Sequence, residues 1–488
     1  MKILMAILTY FLTFTFAMTA SAVEVAVFHM TPTNISQFRI VDESGSPLAF
    51  AEILIGIAPG DPFSGNELST DADGRIYLPA PWKSPEWLTI REGDHLTTSY
   101  ANVVPATVTD LIVEEKPIPA AYSVKGETID FPNLRKDGFV DFGMVIKGID
   151  RSALIDFDLR SILSSQMDEV PIAGKVIEIP SNFTLPYQKE SIPIPVTFNK
   201  PKYHLQVSKK GAEKFVAIHG RFPGKEVTRS LRNGEPVFNL LNHFQFLEGG
   251  VHVVDVDRSV NEQDLSVNQI TFEQKLAVAA PILPANTKML SISLMETQDI
   301  LMPTDIKVLE SEDTKTLNIS NHRNQNYILS VLFPTPKPTS LKTAFSQPHI
   351  YGESFDRMSV HIEEAGQGNP EFLSLISPPL LNSRSLHVTP PQKPNSVEEL
   401  GVIFQLSILD TISLGKYQTE FSQPVWKLFV PHWVDQIDLP QIPIQKDPAK
   451  KYRWEVIFLG SNKGIKSPFT GVIDIEKVTH ISRSFLDL

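Results

Sequence analysis

Four histidines, His204, His219, His243 and His252, fall in one stretch of the chain that also holds Asp255 and Asp257. Neutral imidazoles beside carboxylates are a donor set that can bind zinc. No two of these histidines stand at the short spacing that would place a ligand pair on one turn. Strand histidines at partly exposed positions account for them, and no metal is expected. The carboxylates Asp156, Asp158, Asp168 and Glu169 flank an apolar-periodic segment. Two carboxylates can serve as acid and base in glycoside cleavage, provided the fold sets their separation. Solvated helix ends are the plainer account. A third constellation combines Asn182-Phe-Thr-Leu-Pro-Tyr187-Gln188 with Lys200-Pro-Lys-Tyr203-His204. Exposed aromatics with amides on loops suit sugar or peptide binding, which makes Asn182, Tyr187, Gln188, Tyr203 and His204 the candidate ligand-binding residues. The alternative is that Phe183, Leu185 and Tyr187 anchor a proline-rich crossing of the core.

Motifs with a defined mechanism are near misses. His361-Ile-Glu-Glu364 has the wrong order for a helical zinc-protease motif and lacks a second histidine one turn on. There is no G-x-S-x-G nucleophile elbow. Gly220-Arg-Phe-Pro-Gly224-Lys225 is too short for a phosphate loop, and Glu226 stands where magnesium needs a hydroxyl. Asp71-Ala-Asp-Gly74 lacks the further oxygen ligands and distal glutamate of a calcium loop, and reads as a hairpin turn. No catalytic residue and no cofactor is expected.

The elements that would position these groups are β-strands. The chain has 488 residues, 42% hydrophobic and 20% charged, enough for several packed cores. Thirty-eight prolines against twenty-five glycines favour strands, edges and extended connectors. The net charge of −12 argues against nucleic acid as a partner, because phosphate contacts need a basic surface. Residues 1–22 read as a signal peptide. Lys2 supplies the basic start, Ile3 to Met18 are uncharged, and Ala20-Ser21-Ala22 fits the cleavage pattern, predicting Val23 as the mature N-terminus. No membrane span is expected after cleavage. The absence of cysteine excludes disulfides, thiolate chemistry and cysteine-based zinc sites. Sequons at Asn34, Asn182 and Asn318 would matter only in a eukaryote; the signal and the cysteine usage suit a bacterial envelope.

Taken in order, Gln37 to Val41 reads as a strand, Asp42 to Gly45 as a turn, and Pro47 to Gly56 as a second strand with Ala51, Ile53 and Ile55 on one face. Ser69-Thr-Asp-Ala-Asp-Gly-Arg-Ile-Tyr-Leu78 turns at Asp73-Gly74, and Trp87 to Ile90 follows as another strand. The acidic-Gly turn, the Pro47-Leu-Ala-Phe-Ala51 opening and the Thr70-Asp-Ala-Asp-Gly74 turn resemble the carboxypeptidase regulatory-like domain, a small transthyretin-like β-sandwich. The resemblance runs from about Ser36 to Glu115. It implies an accessory module of an exported protein, without catalytic residues.

Residues 114–123 read as a linker. Asp137 to Gly143 reads as a turn into a strand, Ser152 to Asp168 as an amphipathic helix, and Val237 to Leu247 as a second helix that Glu248-Gly249-Gly250 ends before Val251 to Val256. Phe215, Ala217 and His219 share one parity, with Val216 and Ile218 on the other, as in a strand buried on both faces. Lys288 to Met295, Asp305 to Leu309 and Tyr327 to Leu332 are further strands. So are Gly401 to Leu409, Val425 to Val430 and Lys451 to Leu459. Tyr452-Arg-Trp-Glu-Val456, after a proline-containing loop, is similar to the late strand of fibronectin type III-like sandwiches, which implies a tyrosine locking a corner. Trp454, Val456 and Phe458 share a face and read as core.

The expected fold is mainly β, with several tandem β-sandwich domains and one or two short helices in the middle domain. The expected division is a signal peptide at 1–22, a regulatory-like sandwich at 23–116, a β-rich middle domain at 117–258, a sandwich at 259–391 and a fibronectin type III-like sandwich at 392–488. The functional expectation is an exported non-catalytic protein, secreted, periplasmic or on the cell surface. It would work in binding, adhesion or structure, with a protein or glycan of the envelope as partner. The alternative is an exported hydrolase of peptides or glycans, which would need a polar pocket in the middle domain with converging carboxylates or histidines.

Overall fold

The computed structural model describes residues 32–56, 68–79, 86–103, 109–116, 122–132, 138–151, 154–155, 167–172, 175–186, 200–232, 240–321, 326–335, 357–366, 368–414, 417–440, 447, 449–464 and 477–488. The signal segment and the 117–121 stretch of the expected linker lie outside these residues. The linker's two ends, by contrast, are built into the fold. Lys116 N–H donates to Asp94 O at 2.9 Å, and a strand begins at Tyr122.

The fold is mainly β. Its strands in chain order are β1 Pro32–Asp42, β2 Glu52–Ile55, β3 Arg75–Pro79, β4 Glu86–Arg91, β5 Thr97–Val103 and β6 Thr109–Val113. Next come β7 Tyr122–Ile129, β8 Phe139–Lys147, β9 Met167–Ile172, β10 Lys175–Pro180, β11 Phe183–Thr184, β12 Lys202–Val207 and β13 Gly211–Pro223. Helix α1 spans Gly224–Arg232. It is followed by β14 Gln245–Val256, β15 Val260–Glu262, β16 Leu265–Ser266, β17 Ile270–Thr271, β18 Gln274–Ala279, β19 Thr287–Thr297 and β20 Ile300–Leu309. The remainder are β21 Thr314–Ile319, β22 Asn326–Pro334, β23 Arg357–Glu364, β24 Leu380–Asn382, β25 Ser385–His387, β26 Glu398–Leu414, β27 Tyr417–Val430, β28 Gln436–Asp438, β29 Lys451–Ser461 and β30 His480–Asp487.

Local turn chemistry explains the hairpins near the start. Asp71 Oδ1 accepts the N–H groups of Asp73 and Arg75, and Gly74 supplies the positive φ that closes the turn. Asp42 Oδ1 does the same for the N–H groups of Ser44 and Ser46. These carboxylates are thus committed to their own turns.

Two sheets close on Ile40, Ile53, Ile76, Leu88, Ile90 and Leu111 to make the N-terminal core. One of those sheets does not stop there. β5 pairs in parallel with β27, from Thr97 opposite Trp426 to Tyr100 opposite Phe429. The resulting sheet has eleven strands in the order β2-β4-β5-β27-β26-β29-β30-β23-β22-β19-β20. It draws strands from the stretches 23–116, 259–391 and 392–488.

β13 lies inside a five-stranded sheet ordered β11-β8-β13-β14-β17. Its Val216 and Ile218 pack toward Leu290, Ile292 and Val360 of the long sheet. Phe215 and Ala217 face Val124 and Tyr203 of the sheet built from β12, β7 and β15. The strand is buried on both faces, as its unbroken apolar run implies.

The helices depart from expectation. Of the helix expected over Val237–Leu247, Leu241–His243 form a 3-10 turn and Gln245–Leu247 already belong to β14. Among the described residues the regular helix is α1, upstream. Gly249 and Gly250 do not end a helix; they lie within β14. A Cβ at Gly250 would press on Ser266 O and the Gln269 side chain at 2.8 Å, so glycine there permits close approach of the neighbouring chain. The helix expected over Ser152–Asp168 falls mostly outside the described residues, and its last two positions are in β9.

Candidate functional site

Of the predicted ligand-binding residues, Asn182 and Tyr203 are buried and hydrogen-bonded to the backbone of other strands or loops. Asn182 is fully buried; its Nδ2 donates to Val145 O at 3.0 Å, and its own carbonyl accepts Val145 N–H at 2.9 Å. Tyr203 is buried, and its hydroxyl donates to Gln263 O at 2.6 Å. Burial pushes that phenol well above its usual range. His204 is half-buried, and its backbone exchanges hydrogen bonds with Ser181. Tyr187 and Gln188 lie outside the described residues. At the centre of this group is Lys200, which stands in the same constellation but is not among the candidate ligand-binding residues. The ammonium of Lys200 donates to Ser181 O at 3.2 Å, to Lys202 O at 3.0 Å and to Phe183 O, and pairs with Asp168 at 2.9 Å. Burial holds the Lys200 amine below its ordinary range, against the pull of Asp168. The crossing is anchored by a caged lysine, with Asn182 and Tyr203 as struts.

The four histidines separate. His243 ends the 3-10 turn, and His252 Nε2 bonds Ser266 O at 2.7 Å. Asp255 is exposed, and Asp257 pairs with its neighbour Arg258 at 3.0 Å. Among the described residues no group of three or more histidines, aspartates and glutamates could hold a metal ion.

His219 is different. It is fully buried on β13, with Nδ1 2.7 Å from Glu248 Oε1 and Nε2 2.9 Å from Asp141 Oδ1. Strand register makes this trio. Glu248 on β14 is the direct partner of His219, and Asp141 on β8 lies one diagonal away, opposite Arg221. One carboxylate oxygen stands within hydrogen-bond distance of each ring nitrogen, so the ring is bridged on both sides. Arg221 Nε stands 3.7 Å from Asp141 Oδ1, and Phe131 meets the ring edge-on at 5.0 Å. The trio has the composition of an acid–base site, but its ring is 0% exposed and both nitrogens are engaged. A catalytic base needs a free nitrogen within reach of substrate. The local signal was the parity of Asp141 with Gly143 and Val145, against Phe142 and Met144 on the opposite face; the partner strand could not be read from it.

A second histidine pair joins β23 to β30. His361 and His480 are cross-strand partners, both buried, with ring centroids 4.4 Å apart. Burial lowers His361 to about 4 and, with the neighbouring ring adding to it, His480 to about 3. At the end of the same seam, Arg151, Leu154, Ile155, Tyr327, Glu363 and Thr479 border a cleft of about 30 Å³. That is space for water rather than for an organic ligand. The Arg151 guanidinium lies over the Tyr327 ring at 4.4 Å, which occupies the cleft's main cation.

No family model matches the chain, and no curated protein matches it. Among solved structures, it is similar to one described as the structure of the streptococcal ancillary pilin, at 10% identity and a TM-score of 0.14, covering 62% of this chain and 90% of that one. It is also similar to a DUF3823 family protein from Bacteroides uniformis, at 8% identity and a TM-score of 0.10, covering 44% of this chain and 91% of that one. Similarities at this level carry no argument about fold or function.

Proposed function

We propose that this chain is an exported, non-catalytic β-scaffold protein of the cell envelope or surface, working in binding, adhesion or structure. The observation that carries the reading is the eleven-stranded sheet, which threads N-terminal and C-terminal strands into one hydrogen-bonded layer. A layer of that extent suits a protein that holds a shape. The regulatory-like resemblance supports the same reading, since such domains are usually accessory modules of exported proteins. The hydrolase alternative rests on the Asp141–His219–Glu248 trio, whose enclosure disfavours it.

The test is expression of the full chain with and without residues 1–22, followed by cell fractionation and surface biotinylation, with peptide and glycan hydrolysis assayed on the purified protein. Recovery outside the cytoplasm only when residues 1–22 are present, without turnover, is the expected result. Turnover that disappears in His219→Gln, or a cytoplasmic location of the full chain, would overturn the proposal.

A further inference from the structure

We propose that His361 and His480 form an acid-sensitive fastener, in which protonation of the two imidazoles opens the seam between β23 and β30. This inference is independent of the functional reading. In the long sheet the seam is the sole pairing between β20-β19-β22-β23 on one side and the seven strands from β30 to β2 on the other. It consists of five register pairs, from Arg357 opposite Ser484 to His361 opposite His480. The histidines are its last register pair, and Ile362 N–H donates to Thr479 O at 2.8 Å just beyond them.

Their surroundings suit neutral rings and little else. His361 is 3% exposed and His480 0%. Among the described residues, neither nitrogen of His361 has a hydrogen-bond partner; for His480 the Glu371 backbone favours the charged ring, against the larger effect of burial. Thr479 Oγ1 accepts Asn462 N–H at 3.0 Å, and lies 2.8 Å from His480 Nδ1. The Thr479 hydroxyl can donate to Nδ1 or accept from it, according to the tautomer of His480. Protonation of both rings sets two cations against each other in a buried site, where desolvation is costly.

The charged groups around the pair do little to relieve this. On the same face of β23 stand Arg357 and Glu363, by strand alternation. From the segment covering that face comes Glu371, the one group that favours a charged His361; its carboxylate accepts Ser396 Oγ–H at 2.7 Å. The flanking strands offer Ser330 on β22 and Gly460 on β29, both uncharged. Arg483 and Glu455, 3.5 Å apart, occupy the opposite face of the sheet. The cover is tied to β30 by Ser482 Oγ–H to Ser374 O at 2.8 Å and Ser484 Oγ–H to Ser377 O at 2.9 Å. Opening of the seam would therefore loosen the cover as well.

The sign follows from linkage. Both rings bind protons more weakly folded than unfolded, so their contribution is complete above about pH 6.5 and is lost as pH falls toward 4. Two such groups lower the closing constant by about a hundredfold per pH unit in that window. Glu363, pushed up to about 7 by burial, gains its proton in the folded state first and offsets about one tenfold per unit. A net loss of about tenfold per unit remains.

Hydrogen exchange of the full chain between pH 8 and pH 4, corrected for intrinsic rates, tests this directly. Amides of 357–364 and 480–487 should lose about tenfold protection per unit below pH 6, while 402–409 and 451–459 keep theirs. Nuclear magnetic resonance of labelled histidines should find both rings neutral down to about pH 4 while the seam stays closed. The double variant His361→Asn/His480→Asn, if it folds, should remove the selective loss. Uniform loss across all strands, unchanged protection at the seam, or both rings titrating near 6.5 with the seam still protected would each overturn the proposal.

Discussion

The indole N–H of Trp426 donates to Ser99 Oγ at 2.9 Å, across 327 positions of sequence. Both residues are fully buried. Beside them, Tyr100 stacks on Phe429 with centroids 5.0 Å apart, and Lys427 Nζ reaches both carboxylate oxygens of Glu114 at 2.7 and 2.8 Å. This is the joint by which the first module enters the long sheet. Its contacts are those of an interior rather than of two surfaces that touch. Replacing Ser99 by Ala should leave the indole N–H buried without its acceptor and cost about 1–3 kcal/mol. Urea unfolding should show this as an earlier midpoint of the main transition. An unchanged midpoint would mean that the joint contributes nothing to the stability of the chain.

The His219 trio should behave as a buried hydrogen-bonded unit whose members depend on one another. His219→Ala leaves Asp141 and Glu248 facing each other in the core, and should cost about 3–5 kcal/mol. The double variant His219→Gln/Glu248→Gln replaces the ring and one carboxylate by neutral amides while Asp141 remains for Arg221. It should be appreciably more stable than His219→Ala, as read from thermal or denaturant unfolding.

Gly126 lies on β7, where an added Cβ would overlap the backbone carbonyl of Gln263. Gly126→Ala should force the 263–264 backbone away and destabilise by about 1–3 kcal/mol. Gly93→Ala is the control, since nothing lies within 4 Å of its added Cβ. Its unfolding midpoint should stay close to that of the parent.

Glu363 provides a pH prediction of opposite sign to that of the histidines. Burial raises it to about 7, so the folded state holds its proton more tightly than the unfolded chain does. Its stabilising contribution is complete below about pH 4.5 and is lost as pH rises through 7. Glu363→Gln should therefore be more stable than the parent at pH 8, by about 1 kcal/mol after allowing for partial exposure. The difference should vanish by pH 4.5. A variant less stable at pH 8 would show that the carboxylate has a partner there worth more than its desolvation.

Much of the architecture was legible locally, because strand alternation and turn chemistry are properties of neighbouring residues. Asp71 and Gly74 specify their turn within four positions, and the run from Phe215 to Ile218 announces a strand buried on both sides. The same local rules misplaced a helix around Val237–Leu247 and read Gly249-Gly250 as a break. A glycine pair looks alike whether it ends a helix or makes room for Ser266 against β14. Whether Asn182 and Tyr203 present free groups or struts depended on Val145 and Gln263, which come from elsewhere in the chain. By itself, the sequence determined the β class, the turns and the apolar faces, since each is encoded within a few residues. Tertiary structure alone decided that Thr97–Tyr100 would pair with Trp426–Phe429, that His219 would sit between Asp141 and Glu248, and that His361 would meet His480. Strand pairing depends on which distant edges find each other, and burial of a charge depends on what those edges bring with them.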